Sequence, residues 1–250
     1  MQAEYAQWVK ETCACGACGI DVPDLSKYLV NRNIRPILSG QPSESMPQAG
    51  YLGEDYLRYR VLVLGKNPAW PKSMLDDKSY YELLQGIQDV PTLRENTIPL
   101  RKMHTGWTPL RESELDLVHQ VGLKPTEIAY SNQVLCRTDH HNINEENPDA
   151  QRGTISIIPR KTIKPIYESC FRNRICKLIE ILEPYHILSI GKLDDTVYSW
   201  PHVLERLLHT RPQSKDIRVW HVRFPTGQGG YVNEARKDIA GLRQALGIVA

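Results

Sequence analysis

Short, continuous apolar runs alternate along this chain with longer stretches in which apolar residues recur every three or four positions. Arg60-Val-Leu-Val-Leu64, Ile128-Ala-Tyr-Ser-Asn-Gln-Val-Leu135, His186-Ile-Leu-Ser-Ile190 and Ile217-Arg-Val-Trp-His-Val222 read as strands. Helices are predicted near Ser79 to Ile87, Leu110 to Val121, Ile166 to Leu182, Thr196 to Leu208 and Val232 to Leu246. Strands that alternate with helices imply a parallel sheet covered on both faces, so the expected fold is a three-layer α/β/α domain on a central four-stranded, mainly parallel sheet. Such sheets bind ligands beyond the carboxyl ends of their strands. Here those ends carry Gly65-Lys-Asn-Pro-Ala-Trp70, then Asn132 with Cys136-Arg137, then Gly191-Lys192, and last His221 through Gly230.

Composition narrows the picture. The chain has 250 residues, of which 41% are apolar, enough to bury one sizeable core, and residues 1–250 are expected to form a single domain. Its first 50 residues form a cysteine-bearing arm, joined to the body through a Pro-, Ser-, Gln- and Gly-rich loop from Ser39 to Gly50. With 31 basic and 29 acidic residues the net charge of +2 makes no case for a polyanionic partner, because phosphate binding depends on local clustering. No apolar run reaches the roughly 18 residues a membrane span needs, and Met1 to Lys10 lacks the order of a signal peptide. A soluble, cytoplasmic protein with no membrane partner is expected.

Six cysteines in a reducing compartment point to metal binding rather than to disulfides. Cys13, Cys15 and Cys18 crowd one loop, whose glycines and alanines let the backbone curl so that thiolates converge. Cys136, Cys170 and Cys176 lie far down the chain, and Cys176, in an apolar helical face, also suits the role of a small buried hydrophobe.

Gly65-Lys-Asn-Pro68 and Tyr130-Ser-Asn-Gln-Val-Leu-Cys-Arg137 together resemble the uracil-DNA glycosylase superfamily, most closely its iron-sulfur members of families 4 and 5. Leu182-Glu-Pro-Tyr-His-Ile-Leu-Ser-Ile-Gly191 is similar to the family's Pro turn and following strand, and the resemblance spans roughly Cys13 to Leu246. It implies a 4Fe-4S cluster on Cys15, Cys18, Cys136 and Cys170, with Cys13 as the alternative first ligand. Zinc on the same thiolates is the near alternative. The resemblance also implies that Asn67 positions the attacking water, that Gly65, Lys66 and Pro68 form the turn that holds the base, and that Asn132 reads the base edge.

Three features depart from the family pattern. Cys136 and Cys170 stand 34 positions apart (170 minus 136), with residues 137–165 as an insertion. The His-Pro-Ser motif after the last strand is missing; its counterpart is either His221 or Phe224-Pro225-Thr226. For the aromatic that stacks on the base, Trp107 in His104-Thr-Gly-Trp107 is the candidate. Within the insertion, His140-His141 sits in a polar stretch that reads as a solvated loop, while Arg152, Arg160, Lys161 and Lys164 are placed to touch phosphates or simply to face solvent.

The implied activity is that of a monomeric, monofunctional DNA glycosylase. It would hydrolyse the N-glycosidic bond of a flipped-out uracil, or of another deaminated or modified base, in repair or in defence against phage DNA with modified pyrimidines. His221 would then stabilise charge on the leaving base. A catalytically inert nucleic-acid-binding protein of the same fold is the rival expectation.

Overall fold

The structure, a computed structural model, describes residues 1–13, 50–65, 120–133, 135, 140–141, 154–155, 167–190, 200–210, 216–222 and 239–248. Its centre is β2 (Val61–Gly65), flanked in parallel by β3 (Ile128–Asn132) on one side and β6 (His186–Ile190) on the other, with β7 (Arg218–Val222) parallel to β6. These are the four strands that the apolar runs predict. A fifth, β1 (Tyr51–Leu52), pairs antiparallel to the outer edge of β3, so the sheet is mixed and its order is β1-β3-β2-β6-β7. At two residues β1 is too short to leave a periodic trace. The molecule is therefore of the α/β class, and among the described residues its central sheet has five strands rather than four.

Alternation divides the sheet's side chains between two cores. Leu62, Leu64, Ala129 and Ile187 point to one face, where they meet α1 (Gln2–Cys13), α2 (Cys176–Leu182) and α3 (Trp200–His209). Val61, Val63, Ile128, Tyr130 and Leu188 point to the other, against Val121, Leu123 and the helical stretch 239–245. Helical segments thus lie on both faces, and residues 61–64 are at most 1% exposed, as a doubly covered parallel strand must be. Burying each such Val or Leu stabilises the fold by about 1.5–3 kcal/mol.

The N-terminal arm opens with a helix that the sequence reading does not contain. Tyr5, Trp8, Val9 and Thr12 form its buried stripe, at helical spacing. Trp8 is fully buried, stacks on Tyr5, and donates its indole N–H to the Arg174 carbonyl at 2.9 Å. That carbonyl belongs to a turn of π-helix, Phe171–Ile175, inside the predicted helix of residues 166–182: the Cys176 N–H bonds the Phe171 carbonyl five residues back. Lys177 and Arg174 close on the Glu11 carboxylate at 3.1 and 3.5 Å and complete the seam between α1 and this helix. In the insertion, β4 (His140–His141) and β5 (Thr154–Ile155) pair as a two-stranded antiparallel ladder, so the backbone of the two histidines is strand rather than open loop. The helices predicted at 79–87 and over most of 110–121 lie outside the described residues.

Among the described residues no helix is long and apolar enough to cross a membrane.

On the Leu188 face, Trp220 Nε1–H donates to His186 Nδ1 at 3.2 Å, which requires a neutral imidazole with its proton on Nε2. Burial, aided by the Arg218 guanidinium, holds this imidazole below its usual range. The unfolded chain therefore takes up the proton first, and the contribution of this pair, whole above about pH 6.5, is lost as the pH falls through the folded state's lower range. His186→Asn, with an Oδ1 in place of Nδ1, keeps an acceptor and removes the titration. Its denaturation midpoint should fall less than the wild type's between about pH 7.5 and about 5.5; equal falls would contradict the assignment.

Candidate functional site

The strand register brings two of the expected site residues together. Gly65 and Asn132 are direct partners in the β2–β3 ladder, and each is the last residue of its strand. Both sit at the carboxyl edge of the sheet, where the sequence places the ligand. Asn132 is 1% exposed, and its Oδ1 accepts from the Tyr130 hydroxyl at 3.3 Å. Its Nδ2 is buried and has no acceptor among the described residues. A donor left so costs about 1–3 kcal/mol, which a ligand acceptor would relieve.

Gly65 is a glycine because its neighbours fill the space a side chain would need. A Cβ there would lie 2.5 Å from the Tyr130 hydroxyl and 2.7 Å from Asn132 Oδ1. Glycine at this strand end thus lets a tyrosine and an amide pack directly on backbone.

On the opposite face of the same edge lies a second polar group, unassigned by the sequence reading. Gln133 bonds the Gly65 carbonyl through its backbone N–H at 2.8 Å and reaches across the end of β2 to donate Nε2–H to Ser189 Oγ at 2.7 Å. Its Oε1 accepts from the Tyr167 hydroxyl. Burial, with Cys170 nearby, pushes the Tyr167 phenol well above its ordinary range, so it stays a donor. Three buried polar residues are the signal that could have found this group: Gln133 and Ser189 each follow apolar residues of a strand, and Tyr167 lies on the helix that carries Cys170.

Cys170 is buried, and its Sγ accepts the Leu135 N–H at 3.5 Å. The thiol therefore lies against the segment that runs into Cys136. Cys13 closes α1, beside the helix that carries Cys170. Cys15, Cys18 and Cys136 lie outside the described residues, as do Lys66, Asn67, Pro68, Trp107 and Phe224 to Thr226. Among the described residues no three His, Cys, Asp or Glu side chains converge on a possible ion. Cys176 is packed in the core, as a small hydrophobe would be.

His221 stands apart from this edge constellation. It pairs with Ser189 in the β6–β7 ladder and shares the face of Val219, toward α3, where its Nε2 lies 2.8 Å from Glu205 Oε1. Asn132 shares the face of Tyr130, and β2 and β6 lie between the two strands. The structure brings Gly65 and Asn132 together and leaves His221 on the other side of the sheet.

If Gly65 is small because Tyr130 and Asn132 occupy its side-chain space, Gly65→Ala should destabilise the fold by about 1–3 kcal/mol, the usual cost of overpacking. Adding Tyr130→Phe, which removes the nearer of the two clashing atoms, should restore part of that loss in a double-mutant cycle followed by denaturant unfolding; strict additivity would speak against the contact. Set beside models of protein families the chain matches none, and no curated protein matches it.

Proposed function

We propose that this protein is a DNA glycosylase that hydrolyses the N-glycosidic bond of a flipped-out base, on a fold of the uracil-DNA glycosylase type. The observation that carries the reading is the pairing of Gly65 with Asn132 at the carboxyl edge, with a buried amide N–H left for an acceptor. A base inside duplex DNA is out of reach, so such an enzyme takes an extruded nucleotide into a closed pocket and reads its edge. Asn132 would supply that reading by donating to a base oxygen. Asn67 would orient the attacking water, since an amide has no usable pKa near neutrality and cannot deprotonate it. As the bond breaks, positive charge grows on the sugar and negative charge on the leaving base, and fixed donors stabilise the latter. Because the His221 ring engages Glu205 on the far face, the third-motif role in this proposal passes to Phe224-Pro225-Thr226. The partner is DNA, and the working unit is a monomer.

The donor chemistry at Cys170 supports an iron-sulfur cluster: its buried thiol takes the backbone N–H of Leu135, the residue before Cys136. Cys15, Cys18, Cys136 and Cys170 would hold it. The cluster, when bound, would tie the N-terminal arm to the sheet without taking part in bond cleavage.

Incubation with a panel of oligonucleotides bearing uracil, other deaminated bases and modified pyrimidines should give abasic sites on at least one substrate. Asn132→Ala should slow that reaction by about 10²-fold or more. DNA binding with no abasic product across the panel would instead assign the chain to the inert nucleic-acid-binding class.

Purified protein should be brown and hold about four irons per chain. Cys170→Ser should lower the iron content and Cys176→Ser should not; a colourless protein with four zinc-ligating thiolates would replace iron with zinc, and one with neither metal would remove the site.

A further inference from the structure

Strand ends open more readily than strand centres, because few contacts lie beyond the last rung. Gly65 and Asn132 form the last rung of the β2–β3 ladder, yet Asn132 is 1% exposed and has to keep its place if it is to meet a ligand. The next residue, Gln133, turns its side chain to the opposite face of the sheet and is equally buried. That side chain spans the end of β2 to reach β6, which is not a ladder partner of β3: Gln133 Nε2 lies 2.7 Å from Ser189 Oγ. The other end of the amide meets the Tyr167 hydroxyl, on the helix that carries Cys170. Both partners are hydroxyls, which donate or accept, so these bonds fix where the Gln133 side chain lies and not which way round its amide sits. Two residues further on, Leu135 packs in the core of that face and gives its N–H to Cys170 Sγ at 3.5 Å.

We infer that Gln133 is a positioning residue for the ligand edge: its side chain ties the end of β3 to β6 and to the Cys170 helix, and so holds Asn132 in place from the opposite face. Gln133 touches no ligand itself and acts through its neighbour. The inference rests on the glycosylase reading for the reaction that is affected, but not for the brace. It has a consequence that ladder pairing alone does not: deleting a hydroxyl on β6 should loosen the exit of β3, although β2 lies between the two strands. A misplacement of about 1 Å in a positioned group can slow a reaction by about 10²-fold, so a looser strand end should be felt in turnover.

The test uses the full chain. Gln133→Met keeps the length of the side chain and removes both of its bonds, while Ser189→Ala and Tyr167→Phe remove one each. Tyr56→Phe is the control, since it deletes another buried hydroxyl, bonded to the Leu182 carbonyl at 3.2 Å, ahead of the amino end of β2. Hydrogen exchange is followed by mass spectrometry in overlapping peptides, and base excision is measured well below each thermal midpoint. In the three brace variants exchange across residues 132–135 should rise by about tenfold or more, with the start of β3 near wild-type rates. The kcat for excision should fall by about tenfold or more while DNA affinity stays within about twofold, because phosphate contacts are untouched. Tyr56→Phe should show neither change. Exchange across residues 132–135 that Ser189→Ala leaves unaltered, or that Tyr56→Phe raises as much, overturns the inference, and so does a loosened strand end with full kcat. A wild-type protein that forms no abasic sites sinks the glycosylase reading alone, and the exchange pattern then decides the brace. Should Gln133→Met not fold, the two hydroxyl deletions carry the same expected outcomes.

Discussion

The hydrogen-bond register of β2 with its two parallel neighbours is the constraint on which the rest of this molecule depends. β2 is buried along its length, and its partners are fixed residue by residue from Val61 to Gly65. Side chains alternate across a sheet, so a slip of one residue between β2 and β3 would turn every apolar side chain of one strand to the wrong core. The same slip would carry Asn132 from the Tyr130 face to the face of the N-terminal helix. The apolar pattern that stabilises the sheet thus also sets where the polar strand ends fall, and no separate device is needed to bring Gly65 and Asn132 together.

What the register begins, a short polar brace completes. The chain leaving β3 is held at two successive points by one helix: Gln133 by the Tyr167 hydroxyl and the Leu135 N–H by Cys170 Sγ. Gln133 in turn bonds Ser189 at the end of β6 and the Gly65 carbonyl at the end of β2. Three strand ends and a helix are therefore linked through one amide side chain and its backbone. Buried polar networks of this kind stabilise little on balance but specify geometry strongly when every member is satisfied. A cofactor held through Cys170 would bear on the position of Asn132 by this route, over only a few residues of chain.

Much of the sheet was legible because strands buried on both faces are written as unbroken apolar runs: Val61-Leu-Val-Leu64 and His186-Ile-Leu-Ser-Ile190 can hardly be read otherwise. The N-terminal helix is equally legible in Tyr5, Trp8, Val9 and Thr12, but the sequence reading takes these residues only as part of a cysteine-bearing arm. β1 was not legible, since two residues carry no period. Strand pairing order is a long-range property, so the contact of Gly65 with Asn132 could be reached only by resemblance or by structure. For His221 the alternation was in the sequence, with Val219 as its companion, whereas the helix covering that face and the Glu205 that meets the ring were not. Tyr130 looked like core, and it is core; that its hydroxyl also touches the site follows from the missing side chain at residue 65, sixty-five positions away (130 minus 65).

The π-turn at Phe171–Ile175 has a consequence for how this helix can change. Before the turn, Tyr167 and Cys170 face the end of the sheet; after it, Leu178, Ile179 and Leu182 face the core. Each residue of an α-helix turns the chain by about 100°, so the wide turn acts as a phase adjuster between two halves with different targets. Shortening it by a single residue would leave the composition almost untouched and rotate one half away from what it must meet. The count of residues between Cys170 and Cys176 is thus as much a part of the fold as their identity.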